Sequence, residues 1–293
     1  MTQRMVLEKA YAKLNLSLDV QGKRPDGYHE MVMIMQTVSL SDSIRIEAQS
    51  EPGIRVRCNF RYVPTDRRNL AVRAAEVFLS ALGSAESGGY DIEMRKAIPV
   101  GAGMAGGSAD AAAVLRGMNR LHGHPFSRVE LEKLAEQIGS DVAFCVAGGT
   151  ALARGRGEIL QDLAPMPDCR FVICKPGFSM STPELFRKLD EVSLRRHPDT
   201  EGMLAALKEG QLRELSMRMY NVFEDVDDRR LRSVAEIKSV LLDHGALSAL
   251  MTGTGSAVFG VFTGMEAAEK AAEALHAEYS FSRVSEPVGR LEV

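Results

Sequence analysis

The chain has 293 residues, of which 45% are hydrophobic and 26% charged, with a formal net charge of −3. That length buries a substantial core in two domains or one large one, and the composition is ordinary for a globular protein. The slightly acidic balance offers no basic stripe for nucleic acid or a membrane surface, no apolar run approaches the ~18 residues of a spanning helix, and no apolar signal segment opens the chain.

Residues 9–20 alternate, with Ala10, Ala12, Leu14, Leu16, Leu18 and Val20 against Tyr11, Lys13, Asn15, Ser17 and Asp19. The period of two predicts a half-buried strand, with Lys13 and Asn15 on one face about 7 Å apart. By residue type alone that face is a solvated polar surface. Arg24-Pro25-Asp26-Gly27 is a turn, in which proline holds φ and glycine accepts a positive one. Tyr28 and His29 follow it. An aromatic face suits a nucleobase and a histidine or its backbone suits the base edge, although such a pair after a turn is commonly surface decoration. Residues 31–40, 43–48 and 54–59 read as further strands. Asn69 is placed to cap a helix through Leu70, Ala74, Val77 and Phe78. Residues 90–95 alternate apolar and charged side chains, the mark of a half-exposed antiparallel strand.

From Pro99 the chain becomes glycine-rich. Gly101, Gly103, Gly106 and Gly107 permit tight turning and close backbone approach. Ala111, Val114, Leu115, Met118 and Leu121 then make one apolar stripe at helical spacing. A glycine loop that opens a helix presents free N–H groups and the positive end of the dipole, which together favour a phosphate. Ser108 is placed to cap this helix or to meet a phosphate or its metal ion. The spacing of Gly101, Gly103 and Gly106 matches the dinucleotide fingerprint, but that motif requires a continuously apolar strand before it. No Gly-Lys-Ser/Thr follows as in a Walker A loop, and protein-kinase signatures are absent. A glycine-rich connection with no ligand is the alternative to a phosphate loop.

Ser127 and Glu130 form a capping box ahead of Leu131, Leu134, Ala135 and Ile138. Gly139-Ser140-Asp141-Val142 opens another helix, with Ser140 placed as its cap and Asp141 as a first-turn acid that suits the dipole. Strands over 151–154 and 156–163 complete this half. Pro165-Met166-Pro167 breaks the chain and divides it into residues 1–164 and 165–293. A strand over 170–174 follows, then a helix start at Ser181-Thr182-Pro183-Glu184, with proline at its first position. Phe186 reads by itself as a core residue of that helix. Leu231, Val234, Ile237 and Leu241 form another amphipathic helix ended by Gly245, and a turn with Gly253 and Gly255 leads into a strand. This order of strands and helices indicates an α+β fold and not a doubly wound sheet. Cys58, Cys145, Cys169 and Cys174 lack metal-site spacing and are expected to be reduced thiols of a cytoplasmic protein. His122 and His124, at a helix end, are expected to face solvent.

Together these motifs resemble the GHMP kinases, the superfamily of galactokinase, homoserine kinase, mevalonate kinase and phosphomevalonate kinase. The resemblance spans nearly the whole chain, with motifs near residues 13, 28, 101, 141, 182 and 253. It is nearest to the branch whose acceptor is a diphosphocytidyl methylerythritol, although Ala105 and Ala109 stand where that branch often has Gly and Ser. The resemblance implies a two-domain fold, with an N-terminal domain like the second domain of ribosomal protein S5 and a ferredoxin-like α/β-plait C-terminal domain. It implies ATP and Mg²⁺ as cofactors and phosphorylation of a hydroxyl, the 2-hydroxyl of that acceptor, in the non-mevalonate isoprenoid route. Lys13 and Asp141 would be catalytic. Pro99, Val100, Gly101, Ala102, Gly103, Met104, Ala105, Gly106, Gly107, Ser108 and Ala109 would bind ATP. Asn15, Tyr28, His29, Thr182 and Phe186 would bind the acceptor, with Phe186 opposing the tyrosine across the cytosine. No protein ligand to the metal is assigned, and the partners are small molecules, with the chain a monomer or weak homodimer. Another small-molecule kinase of the superfamily, acting on mevalonate or homoserine, is the alternative. An RNA-binding module is disfavoured by the acidic balance.

Overall fold

The computed structural model describes residues 4–83, 88–194 and 196–293; the first three residues of the chain lie outside it. Two long strands, β1 (Met5–Lys23) and β2 (His29–Gln49), pair antiparallel along almost their whole length. After β3 (Gly53–Cys58) comes α1 (Leu70–Leu82), then β4 (Gly89–Arg95), α2 (Gly106–Leu121), α3 (Arg128–Glu136), α4 (Ser140–Ala147), β5 (Thr150–Gly155) and β6 (Ile159–Asp162). These strands make one sheet in the order β3-β4-β2-β5-β6, with β1 paired to β2.

The two strands expected over 31–40 and 43–48 are one. Residues 31–36 pair with β5 and residues 43–49 with β4, while β1 pairs with β2 throughout, so the chain changes one partner without breaking. β4 is antiparallel to β2 as expected but parallel to β3, which its own alternation could not reveal. β1 differs more. Lys13, Asn15, Ser17 and Asp19 are as buried as the leucines between them, because helices and loops cover the face that residue type would leave in water.

Asn69 caps α1, accepting from Ala71 N–H at 2.9 Å and donating to Pro64 C=O at 2.7 Å. Asn69→Ala should therefore lower the unfolding free energy by about 1–2 kcal/mol, read from a denaturant titration. The capping box at Ser127 is also present. His122 does not face solvent as expected. Its Nε2 lies 2.9 Å from the Tyr90 hydroxyl and its ring packs on Phe78.

The second sheet holds β7 (Arg170–Lys175), β8 (Ser248–Met251), β9 (Val258–Phe262) and β10 (Phe281–Ser285) in the order β10-β7-β9-β8, antiparallel throughout. That order is the ferredoxin-like plait. Helices α5 (Thr182–Asp190), α6 (Thr200–Lys208), α7 (Leu212–Arg218) and α8 (Leu231–Asp243) fall between β7 and β8, and α9 (Met265–His276) between β9 and β10.

The two halves meet along the unpaired edge of β1. Lys13 N–H donates to Met104 C=O at 3.2 Å, Asn15 N–H to Thr252 Oγ1 at 3.0 Å and Leu18 N–H to Tyr220 C=O at 2.9 Å. Buried N–H groups must find acceptors. Here they find them on the glycine loop and on two segments of the second half.

Candidate active site

β1 delivers Lys13 and α4 delivers Asp141. Lys13 Nζ lies 3.8 Å from Asp141 Oδ2 and donates to Asn15 Oδ1 at 2.5 Å. Its side chain is 6% exposed against 32% for Asp141, so the ammonium is screened while the carboxylate opens to the cavity. Asn15 is fully buried and does not line that cavity. Its amide Nδ2 faces the Met33 sulfur at 3.2 Å, and with both ends engaged it orients Lys13. Ser140 is the first residue of α4 and not its cap; Gly139 holds that place in extended backbone, with no side-chain cap. The buried Arg116 of α2 donates to Cys145 C=O at 2.7 Å and to Lys9 C=O at 2.8 Å, which fixes α4 relative to β1.

The glycine loop lies opposite. Gly101 and Gly103 have φ of 64° and 76°, and Ala105, in the left-handed region at 56°, precedes α2. Ser108 does not cap α2: it lies inside the first turn, and the N-cap position is held by Ala105, which has no side-chain cap to offer. The first-turn N–H groups have no intrahelical partner, so they are available to an anion. The loop is braced by the 252–257 turn, where Ala257 N–H donates to Ala102 C=O at 3.1 Å and Thr252 Oγ1 to Gly103 C=O at 3.3 Å. Asn221 in turn donates to Met251 and Gly253 C=O at 2.7 and 2.8 Å.

One cavity of about 760 Å³ receives these groups, lined by Lys13, Asp141, Ser108 and the glycines on one side and by Tyr28, His29, Thr182 and Phe186 on the other. Thr182 Oγ1 lies 2.9 Å from Thr254 Oγ1, joining α5 to the glycine turn. Ser181 contributes no side-chain cap to α5. The ring that Phe186 stacks on is His29, at 4.6 Å between centroids, and not Tyr28. Tyr28 instead carries the Arg156 guanidinium 4.0 Å above its ring. Arg156 also lines the cavity and escaped the motif reading, since a lone arginine in a hairpin has no pattern to mark it.

A second cavity of about 390 Å³ lies on the far side of the glycine loop, lined by Pro99, Val100, Ala102, Met104, Gly106 and Gly107 of the loop together with Tyr62, Val63, Pro64, Leu70 and Lys96. Ala109 is buried within α2 and lines neither cavity. The segment 60–68 has no periodicity to mark it, and only the packing of α1 on α2 brings it to the loop.

Beneath the loop, Lys96 Nζ donates to Asp110 Oδ2 at 2.5 Å, to Asp42, and to Gly106 C=O at 3.4 Å. Asp42 Oδ1 accepts from Ala97 and Ile98 N–H at 2.5 and 2.8 Å. The cluster thus joins the entry and the exit of the loop. Burial raises the Asp110 carboxyl well above the usual range, with Lys96 opposing and Asp42 adding to the effect.

Residues 69–149 match the model for the GHMP kinases N terminal domain, and residues 203–280 that for the GHMP kinases C terminal. The 4-diphosphocytidyl-2-C-methyl-D-erythritol kinase of Syntrophomonas wolfei is 45% identical over 277 residues, covering 94% of this chain and 96% of that protein. The enzyme of the same name from Bacillus subtilis is 46% identical over 258 residues, covering 87% and 88%. A crystal structure of 4-(cytidine 5'-diphospho)-2C-methyl-D-erythritol kinase superposes with a TM-score of 0.82 at 34% identity, covering 97% of this chain and 100% of that one. The L. major mevalonate kinase solved in complex with R-mevalonate, at 17% identity and a TM-score of 0.74 over 100% of each chain, shares the fold.

Proposed function

Since the chain belongs to the 4-diphosphocytidyl-2-C-methyl-D-erythritol kinases, within the GHMP kinases, we propose that it carries out that reaction at the cavity between Asp141 and the glycine loop. The activity is ATP-dependent phosphorylation of the 2-hydroxyl of 4-diphosphocytidyl-2-C-methyl-D-erythritol. The observation that carries the assignment of roles is the Lys13–Asp141 pair, 3.8 Å apart and in one cavity with the loop.

Phosphoryl transfer has a loose transition state, so the protein chiefly positions reactants and neutralises charge. In this reading the loop N–H groups hold the ATP phosphates, and the second cavity takes the nucleobase, its apolar walls at Val63, Pro64 and Leu70 suiting a purine face. Asp141 accepts the acceptor's hydroxyl proton. Lys13, held by Asn15, places positive charge beside the carboxylate and the phosphoryl group in transfer.

Mg²⁺ binds one or two protein oxygens and otherwise phosphate and water. Ser108 supplies a hard oxygen donor on the cavity wall, beside the loop, and would hold it. The ion would neutralise phosphate charge when bound.

We divide the chain at residues 164 and 165, because the first sheet ends at Asp162 and the second begins at Arg170. Both reactants are small molecules, and an ATP donor argues for a cytoplasmic reaction. No helix among the described residues is long and apolar enough to cross a membrane.

Comparing ATP consumption with the diphosphocytidyl acceptor, mevalonate and homoserine tests this function. Turnover of either of the latter two, with none of the first, would overturn it. Tyr28→Ala should weaken acceptor binding by about 1–3 kcal/mol, the worth of base–aromatic stacking, and leave ATP affinity unchanged. An equal loss for both ligands in calorimetric titrations would place Tyr28 elsewhere.

A further inference from the structure

His29 is held by more than its place after the turn. Its Nε2 lies 2.6 Å from Asp190 Oδ1, at the last residue of α5, and its ring lies against Phe186 one turn earlier on the same helix. Lys23 Nζ reaches the other oxygen of Asp190 at 3.2 Å. The His29 side chain is 9% exposed, and its Nδ1 has no hydrogen-bond partner among the described residues although the residue lines the large cavity. The hydrogen bond from His29, aided by Lys23, lowers the Asp190 carboxyl, so Asp190 is an ionised acceptor at neutral pH. A neutral imidazole that gives its single N–H to a carboxylate keeps a lone pair on the other nitrogen.

We propose that Asp190 is a positioning residue that fixes His29 with its proton on Nε2, so that the Nδ1 lone pair selects a pyrimidine bearing an amino group over one bearing a carbonyl. This deepens, and rests on, the assignment of the Tyr28–His29 side of the cavity to the acceptor's cytosine. The exocyclic amine of cytosine donates, whereas the corresponding carbonyl of uracil can only accept. A fixed acceptor on the protein therefore pairs with the first and faces the second lone pair to lone pair. Buried polar groups that match one base and oppose another discriminate far better than apolar contact does. Asp190 lines the rim of the same cavity, and in this reading it acts on the base through its hydrogen bond to His29.

The test measures kcat and KM for 4-diphosphocytidyl-2-C-methyl-D-erythritol and for its uridine counterpart, in the unaltered chain, Asp190→Ala and Asp190→Asn. For Asp190→Ala the preference in kcat/KM for cytidine over uridine should fall roughly tenfold or more, through acceptor KM, with the KM for ATP within about twofold. Asp190→Asn keeps the size of the side chain and, if Asp190→Ala does not fold, stands in for it. Its amide can donate to Nε2 and so release the fixed tautomer, and the same loss of preference is expected. An unchanged cytidine-to-uridine ratio in a folded variant, even with a raised acceptor KM, would overturn the proposal and leave Asp190 as a tether of α5. If the unaltered chain turned over neither acceptor, the assignment beneath the proposal would fail with it.

Discussion

Asp141→Asn should lower kcat by roughly 10²–10⁴, the usual share of positioned general-base catalysis, with ATP binding little changed. The substitution keeps the size of the side chain and some hydrogen bonding but removes the charge and the proton acceptor. The phosphates in this reading are held by backbone N–H groups of the loop, which Asp141 does not touch. Lys13→Met should also slow turnover, and because Lys13 Nζ lies 3.8 Å from the carboxylate, the double variant should lose less than the sum of the two. The competing view makes Asp141 a first-turn acid worth ~0.3–1 kcal/mol of stability and nothing to chemistry. Rapid-quench kinetics and a melting curve on one Asp141→Asn preparation separate the two. Near-normal turnover with a lowered Tm would reject the catalytic role.

Gly103→Val should abolish measurable ATP binding and also destabilise the fold. At φ of 76° any side chain is strained, and a β-branched one most of all. Space is the stronger reason. A Cβ on Gly103 would lie 2.2 Å from Thr252 C=O and 3.0 Å from Gly255 N–H, both backbone atoms of the turn that braces the loop. The contact of the loop with that turn ties binding to stability. A loss of about 2–4 kcal/mol is in keeping with strain and overpacking at a special backbone position. Equilibrium unfolding and a nucleotide titration measure the two effects. A variant that bound ATP normally would remove the loop from the phosphate site.

Local pattern determined much of this protein. The alternation of residues 9–20, the caps at Asn69 and Ser127, the glycine loop opening an apolar-striped helix and the α+β order all rest on interactions within a few residues of one another. The motifs at Lys13, Tyr28, Gly101, Asp141, Thr182 and Gly253 were legible for the same reason, since each is short and contiguous. Their meeting was not legible, because it depends on β1 offering its unpaired edge to the glycine loop and the 252–257 turn. Burial of the Lys13 face followed from that covering and not from residue type, and it turned Asn15 inward, away from the cavity. Ser108 and Ser140 have the right residue type for caps, yet backbone geometry put the cap positions at Ala105 and Gly139. Segment 60–68, Arg156 and Asp190 joined the site only through packing of α1, the turn of a hairpin and the end of α5. A side chain that works through partners far away in the chain leaves no period or spacing, and only the tertiary structure brings it to its place.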